Sequence, residues 1–260
     1  MMTTADADLL YDVADGIARV TFNRPQARNA LTFAMYERLA EICGAIGGDR
    51  SVKALIVTGA GRSFAAGTDI AQFRSFAGPQ DSLDYERFMD RVLTALETCP
   101  VPTIAAVAGA CTGGGCAIAA CCDLRVAAPD ARFGFPMART LGNCLSLANI
   151  ARLSALVGPA RVTDLLYTAR LVEAEEAKAI GLVTEVTADA AALPARADAL
   201  ARLVANHAPL TLRATKEAVR RLRPALAESD DIILMCYESR DFREGMEAFL
   251  AKRPPRWRGE

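Results

Sequence analysis

Histidine is almost missing from this chain: His207 is the only one in 260 residues. None of the eight cysteines forms a Cys-x-x-Cys pair, so the common zinc sites have no ligand set here. Cys111, Cys116, Cys121 and Cys122 share one apolar run. That pattern suits buried small hydrophobes in a reducing cytoplasm better than a disulfide framework. Charge of one sign is lacking too. The net charge is −1, which gives nucleic acid no electrostatic hold as a main partner. No Gly-x-Gly-x-x-Gly follows the first strand, which argues against a dinucleotide-binding oxidoreductase. Met1 to Leu10 is acidic and lacks the basic and apolar blocks of a signal peptide. No charged residue stands between Cys99 and Cys122, a length that raises a transmembrane reading. Pro100, Pro102 and the glycines from Gly109 to Gly115 speak against it, and Thr103–Val107 reads as a buried strand. No membrane association is expected, and neither an internal repeat nor a low-complexity linker is present.

What is present alternates, strand then helix, before helices take over. Leu9–Val13 and Gly16–Phe22 read as a hairpin. Residues 29–46 form an amphipathic helix running into Gly47 and Gly48, and 52–58 an apolar strand. Residues 82–97 are helical, with Asp81 or Ser82 as the cap. After Thr103–Val107 a small-residue helix opens at the glycine cluster and runs to Cys121. Residues 124–128 form a short strand. Helices are expected over 147–157, 160–168 and 173–179, a last strand over 182–186, and helices over 190–206, 210–221 and 230–249. This is an α/β core with a helical C-terminal part. The basic residues Lys252, Arg253, Arg256 and Arg258 close the chain, either as a solvated terminus or as a partner for phosphate.

Two stretches carry chemistry. Ser63-Phe64-Ala65-Ala66-Gly67-Thr68-Asp69-Ile70 and Gly109-Ala110-Cys111-Thr112-Gly113-Gly114-Gly115-Cys116 each put small residues where an apolar strand ends. Glycine lets backbone N–H groups turn toward a ligand and lets the ligand come close. Two N–H groups from separate segments can converge on one carbonyl oxygen. They then stabilise the negative charge that develops when a thioester is enolised or attacked, as an oxyanion hole does.

These stretches resemble the crotonase family, also called enoyl-CoA hydratase/isomerase. The other segments that carry the resemblance are Phe22 to Leu31, Cys122-Asp123-Leu124-Arg125, Ala174 to Val183 and Glu244 to Pro254, all in the family's order. The resemblance implies a spiral of ββα units over residues 1–200 holding an acyl-CoA site. It implies a helical C-terminal trimerisation segment over 201–260 and assembly as a homotrimer or homohexamer. It implies no permanently bound cofactor, since coenzyme A arrives as part of the substrate. The oxyanion donors would be the N–H groups of Ala66 and Gly114, the latter helped by a helix N-terminus. Gln26, Ala27 and Arg28 match a stretch that lies along pantetheine and phosphates. Thr68, Asp69 and Ile70 fall in the region around the adenine, Phe64 counts among the coenzyme A contacts, and Phe249 and Lys252 match C-terminal positions that often reach a neighbour's coenzyme A.

The chain departs from the hydratase pattern at its two catalytic carboxylates. Cys116 and Ala117 follow Gly115 where the first glutamate would stand, and Met137 follows Phe133-Gly134-Phe135-Pro136 where the second would stand. A Pro-Gly-x-Gly-Gly stretch downstream gives way to Asn143-Cys144-Leu145-Ser146-Leu147. Hydration needs one group to activate water and one to deliver the α-proton, and alanine and methionine do neither. Substitutes are Cys144 as a nucleophile with Arg139 beside it, Arg139 as an acyl-carboxylate binder, and the acids Asp69, Asp84, Glu86 and Asp90. His207 suits capping or packing. Two readings follow: an enoyl-CoA hydratase/isomerase-type enzyme with a non-standard acid/base, or a non-catalytic acyl-CoA-binding relative. A hydrolase or isomerase on the same fold is a further variant.

Overall fold

A computed structural model describes residues 7–223 and 230–260. Most of the N-terminal stretch considered for a targeting pattern lies outside those residues. The main sheet has six strands in the order β1-β2-β3-β4-β6-β9. They are β1 (Leu9–Ala14), β2 (Ile17–Phe22), β3 (Ala54–Gly59), β4 (Thr103–Val107), β6 (Leu124–Ala127) and β9 (Glu185–Val186). β1 pairs antiparallel with β2, Leu9 opposite Phe22, and every later pairing is parallel. A small second sheet joins β5 (Ala110–Thr112), β7 (Arg132–Gly134) and β8 (Val172–Glu173).

The apolar run of β3 follows from burial of both faces. Leu55 and Val57 face the main core, and Ala54 and Ile56 face a second cluster with Leu193, Ala197 and Ala201. Those three lie on helix Ala192–Ala205, which packs across the back of β3 and β4 and pairs Asp198 with Arg19 of β2. Residue 200, the expected end of the core, therefore falls inside a helix bound to the sheet.

Helix α1 (Phe33–Gly48) buries Met35, Tyr36, Leu39, Ile42, Cys43 and Ile46, one stripe at helical spacing. Thr32 caps it, accepting from the Met35 N–H at 3.3 Å. It starts four residues later than the sequence suggests because Arg28 and Asn29 take φ of +51° and +57°. Asn29 holds that corner: its Nδ2 donates to the carbonyls of Ala60 (2.9 Å) and Ser63 (2.6 Å), and its Oδ1 accepts from the Arg24 N–H. Helix α2 (Pro79–Glu97) and helix α3 (Gly114–Cys121) pack side by side. Buried Arg125 of β6 donates to the Ala119 and Cys122 carbonyls at the C-terminal end of α3 and to Leu182, which locks that helix against the sheet.

The short helix α4 (Met137–Thr140) precedes α5 (Leu147–Val157), α6 (Pro159–Thr168) and α7 (Ala174–Ala179). With Ala192–Ala205 as α8, the C-terminal part continues as α9 (Pro209–Arg221), α10 (Asp230–Tyr237) and α11 (Arg240–Leu250). The single helix expected over 230–249 is thus two. Ser239 ends one turn and caps the next, its Oγ donating to the Cys236 carbonyl and accepting from the Phe242 N–H at 2.9 Å. Rings of Phe73, Phe76, Tyr85, Tyr237 and Phe242 stack edge-on or tilted at centroid distances from 4.8 to 6.5 Å, which fastens α10 and α11 to α2.

Candidate active site

The two glycine-bearing segments meet. Ala65 bridges Cys111 in parallel, the Ala65 N–H donates to the Ala110 carbonyl at 3.0 Å, and the Thr112 N–H returns to Ala65 at 3.0 Å. Leu31 bridges Thr68 on the other side. Gly113, at φ +52°, turns the chain into α3, and a β-carbon on it would sit 3.6 Å from the Gly67 α-carbon. Gly114 is more confined: a β-carbon there would lie 1.9 Å from Tyr36 Oη and 3.1 Å from Thr68 Oγ1. A residue larger than glycine at 114 would have to displace the Tyr36 hydroxyl.

Backbone hydrogen bonds then sort the donors. The Ala66 N–H donates to the Arg28 carbonyl at 3.0 Å, so it is engaged inside the protein and not turned to a ligand. This corrects the expectation for Ala66, because the αL corner at Arg28 and Asn29 brings that carbonyl within reach. Among the described residues, neither the Thr68 N–H nor the Gly114 N–H has a protein acceptor. Thr68 is anchored through its side chain, with Oγ1 2.9 Å from Tyr36 Oη and 3.2 Å from Tyr85 Oη. Burial raises the pKa of both tyrosines, so both hydroxyls stay neutral. Gly114 is the first residue of α3, where N–H groups lack helical partners and the helix dipole favours negative charge.

Both N–H groups lie on the wall of a cavity of about 520 Å³. Ala27, Arg28, Ala66, Asp69 and Ile70 line it with Thr68, and so does Phe249 of α11. Ala117 and Met137 are on the wall, so the two positions that lack carboxylates do face the pocket. Met89, Leu141, Leu145 and Leu171 add apolar surface. Cys144 lines the cavity but is no ready nucleophile. A hydrogen bond shared with Cys236, together with burial, pushes its thiol up, and Arg139 is exposed and off the wall. Gln26 and Lys252 are exposed and do not line the cavity, and Phe64 is buried in the core against Phe22 at 5.5 Å. The terminal Arg253 is paired with Glu244 at 2.6 Å, and His207 is exposed beyond α8.

Two carboxylates reach the wall. Asp69 is tied to Arg24 at 3.1 Å and caps the turn at Ala71. Glu86 of α2 is different. It is buried, and burial pushes its pKa up to about 7, with the hydrogen bonds from Tyr237 and the Ser146 N–H pulling the other way and the Asp90 charge adding to the rise. Tyr237 Oη donates to Glu86 Oε1 at 2.7 Å and accepts from Asn143 Nδ2 at 3.2 Å. Asn143 Oδ1 is buried without a partner. From the sequence Glu86 is one of four acids in or after the first loop, and nothing there sets it apart from Asp84 or Asp90.

Among the described residues no metal-holding cluster occurs, and no helix is long and apolar enough to cross a membrane.

Residues 12–260 match the family described as enoyl-CoA hydratase/isomerase. The chain is 36% identical over 246 residues to a short-chain-enoyl-CoA hydratase of Clostridium acetobutylicum, covering 91% of this chain and 92% of that protein. A solved enoyl-CoA hydratase/carnithine racemase from Magnetospirillum magneticum superposes with a TM-score of 0.80 at 35% identity, over 97% of this chain and 96% of that one. A methylmalonyl-CoA decarboxylase in complex with 2-nitronate-propionyl-CoA reaches a TM-score of 0.87 at 26% identity, over 97% and 98%. With that family match over nearly its whole length and relatives at 35–36% identity, this chain belongs to the crotonase, or enoyl-CoA hydratase/isomerase, family.

Proposed function

We propose that the cavity takes the acyl end of a coenzyme A thioester and holds its carbonyl oxygen between the N–H groups of Thr68 and Gly114. The observation that carries this reading is the pair itself: two N–H groups from separate segments, without protein acceptors, on one cavity wall. Charge pushed onto that oxygen would meet two fixed donors and a helix N-terminus, which favours an enolate. The apolar wall accepts the acyl chain. The pantetheine and nucleotide would run past Arg28, Asp69 and Ile70, with Phe249 from the C-terminal part. No permanent cofactor is called for, and coenzyme A is part of the substrate. The free cysteines agree with work in the cytoplasm.

A non-catalytic acyl-CoA binder is the second reading, favoured by Ala117 and Met137 on the wall. Calorimetry with butyryl-CoA and butyrate tests the binding shared by both readings. The thioester is expected to bind and the free acid to bind far more weakly; equal affinity would refute the site. Replacing Gly114 by proline removes one donor, and any turnover is expected to fall by about a hundredfold or more in a variant that remains folded.

A further inference from the structure

Glu86 is a buried carboxylate that no packing need explains. Its helix could bury an apolar residue here, as Met89 does one turn on. Instead the fold supplies it with a dedicated donor from a distant element, Tyr237 of α10, whose hydroxyl is in turn oriented by Asn143. Among the described residues, no lysine or arginine is among the groups acting on it. The groups around it are Asp90 and Tyr85 of its own helix, Tyr36 of α1, Cys144 of the segment after α4, and Tyr237. A carboxylate that is buried, hydrogen-bonded and uncompensated is costly to keep charged, and so it is ready to take a proton. It also shares a cavity wall with Thr68 and Gly114, and its neighbour Tyr85 holds the Thr68 side chain.

We propose that Glu86 is the proton-transfer group of this pocket and that, acting alone, it moves a proton between two carbons of one allylic acyl chain, converting a 3-enoyl thioester into a 2-enoyl thioester. This rests on the thioester reading above. The steps balance without another reactant. The Glu86 carboxylate takes a proton from C2. The electrons of that C–H bond form C1=C2, and the carbonyl electrons move onto the oxygen held by the two N–H groups. In return the oxygen re-forms C=O, the C1=C2 pair becomes C2=C3, and the C3=C4 pair takes the proton back from Glu86 at C4. Water is neither consumed nor released, so the absence of a second acid/base at Ala117 and Met137 costs this reaction nothing. Tyr237 is a positioning residue: it touches the carboxylate and not the substrate.

The probe is but-3-enoyl-CoA, followed by the absorbance of the conjugated product and, when the probe carries deuterium at C2, by the transfer of that deuterium to C4. The unaltered protein is expected to convert it, with a rate that rises with pH as Glu86 ionises. Glu86→Gln is expected to bind the thioester with unchanged affinity and to lose about a hundredfold or more in rate. Asp84→Asn, an exposed acid on the same helix, is expected to convert normally. Tyr237→Phe is expected to stay active with its pH midpoint displaced upward, because the lost donor had favoured the charged carboxylate. A folded Glu86→Gln variant that converts at the original rate overturns the proposal. So does unaltered protein that binds the thioester and leaves it unconverted, a result that spares the binding reading. Failure of the unaltered protein to bind butyryl-CoA or but-3-enoyl-CoA at all would overturn both.

Discussion

Tyr36 and Gly114 show how tightly the site is specified at the scale of single residues. A methyl group on residue 114 would lie 1.9 Å from the tyrosine hydroxyl, so Gly114→Ala has to push the ring aside. The expected cost is about 1–3 kcal/mol, as for other overpacked cores, and Tyr36→Phe in the same chain is expected to recover part of it in thermal unfolding. Glu86 gives a second expectation. Its folded pKa of about 7 lies above the ordinary carboxylate value, so the folded state holds its proton more tightly than the unfolded chain does. The stability linked to that proton is complete below about pH 4.5 and lost as pH rises through 7, an effect of about 3 kcal/mol. Glu86→Gln, which mimics the protonated form, is expected to gain stability over the parent as pH rises from 5 to 8 in urea unfolding. Ala117 and Met137 give a third: crotonyl-CoA hydration by the pure protein is expected to be very weak or absent, and brisk hydration would reveal a second base. The close approach at Gly114 was legible in the sequence because a glycine run after a strand marks a tight turn. The engagement of the Ala66 N–H was not, because it depends on where the Arg28 carbonyl lies, and that is fixed by a left-handed corner with no periodic signature.

At the scale of elements, the strand Thr103–Val107 and the helix Leu147–Val157 were legible residue for residue. Both are bounded by proline, glycine or serine and carry an unbroken apolar or helical pattern. The small second sheet was not, since strands of two or three residues hold too few side chains to show a period. Nor was the break at Ser239. The apolar spacing continues across it, and only the cap, a serine accepting from Phe242, divides α10 from α11. Ser239→Ala is expected to cost about 1 kcal/mol and to speed amide exchange across residues 240–250. An unchanged exchange pattern would show that the ring contacts of Phe242 alone hold that helix.

At the scale of the whole molecule, the C-terminal part leaves apolar side chains in water: Leu210 is 77% exposed, Leu222 83% and Met235 71%. Such a surface asks for a partner, and light scattering is expected to give three or six times the 27.7 kDa of one chain. Leu222→Arg is expected to shift that mass downward. The alternation of strand and helix made the α/β core legible from sequence, while the surfaces that meet in an assembly follow no local pattern. The cavity walls described above run from Ala27 to Phe249, and that span has a consequence for how the protein comes into being. A chain still on the ribosome has no finished pocket until Phe249 is made, so a copy that stops short of it lacks one wall. The finished pocket ties its occupant to the folding of every segment from Ala27 to Phe249. A ligand at a hundred times its dissociation constant would hold the native state by about 2.7 kcal/mol, making the protein hardest to unfold when its substrate is abundant.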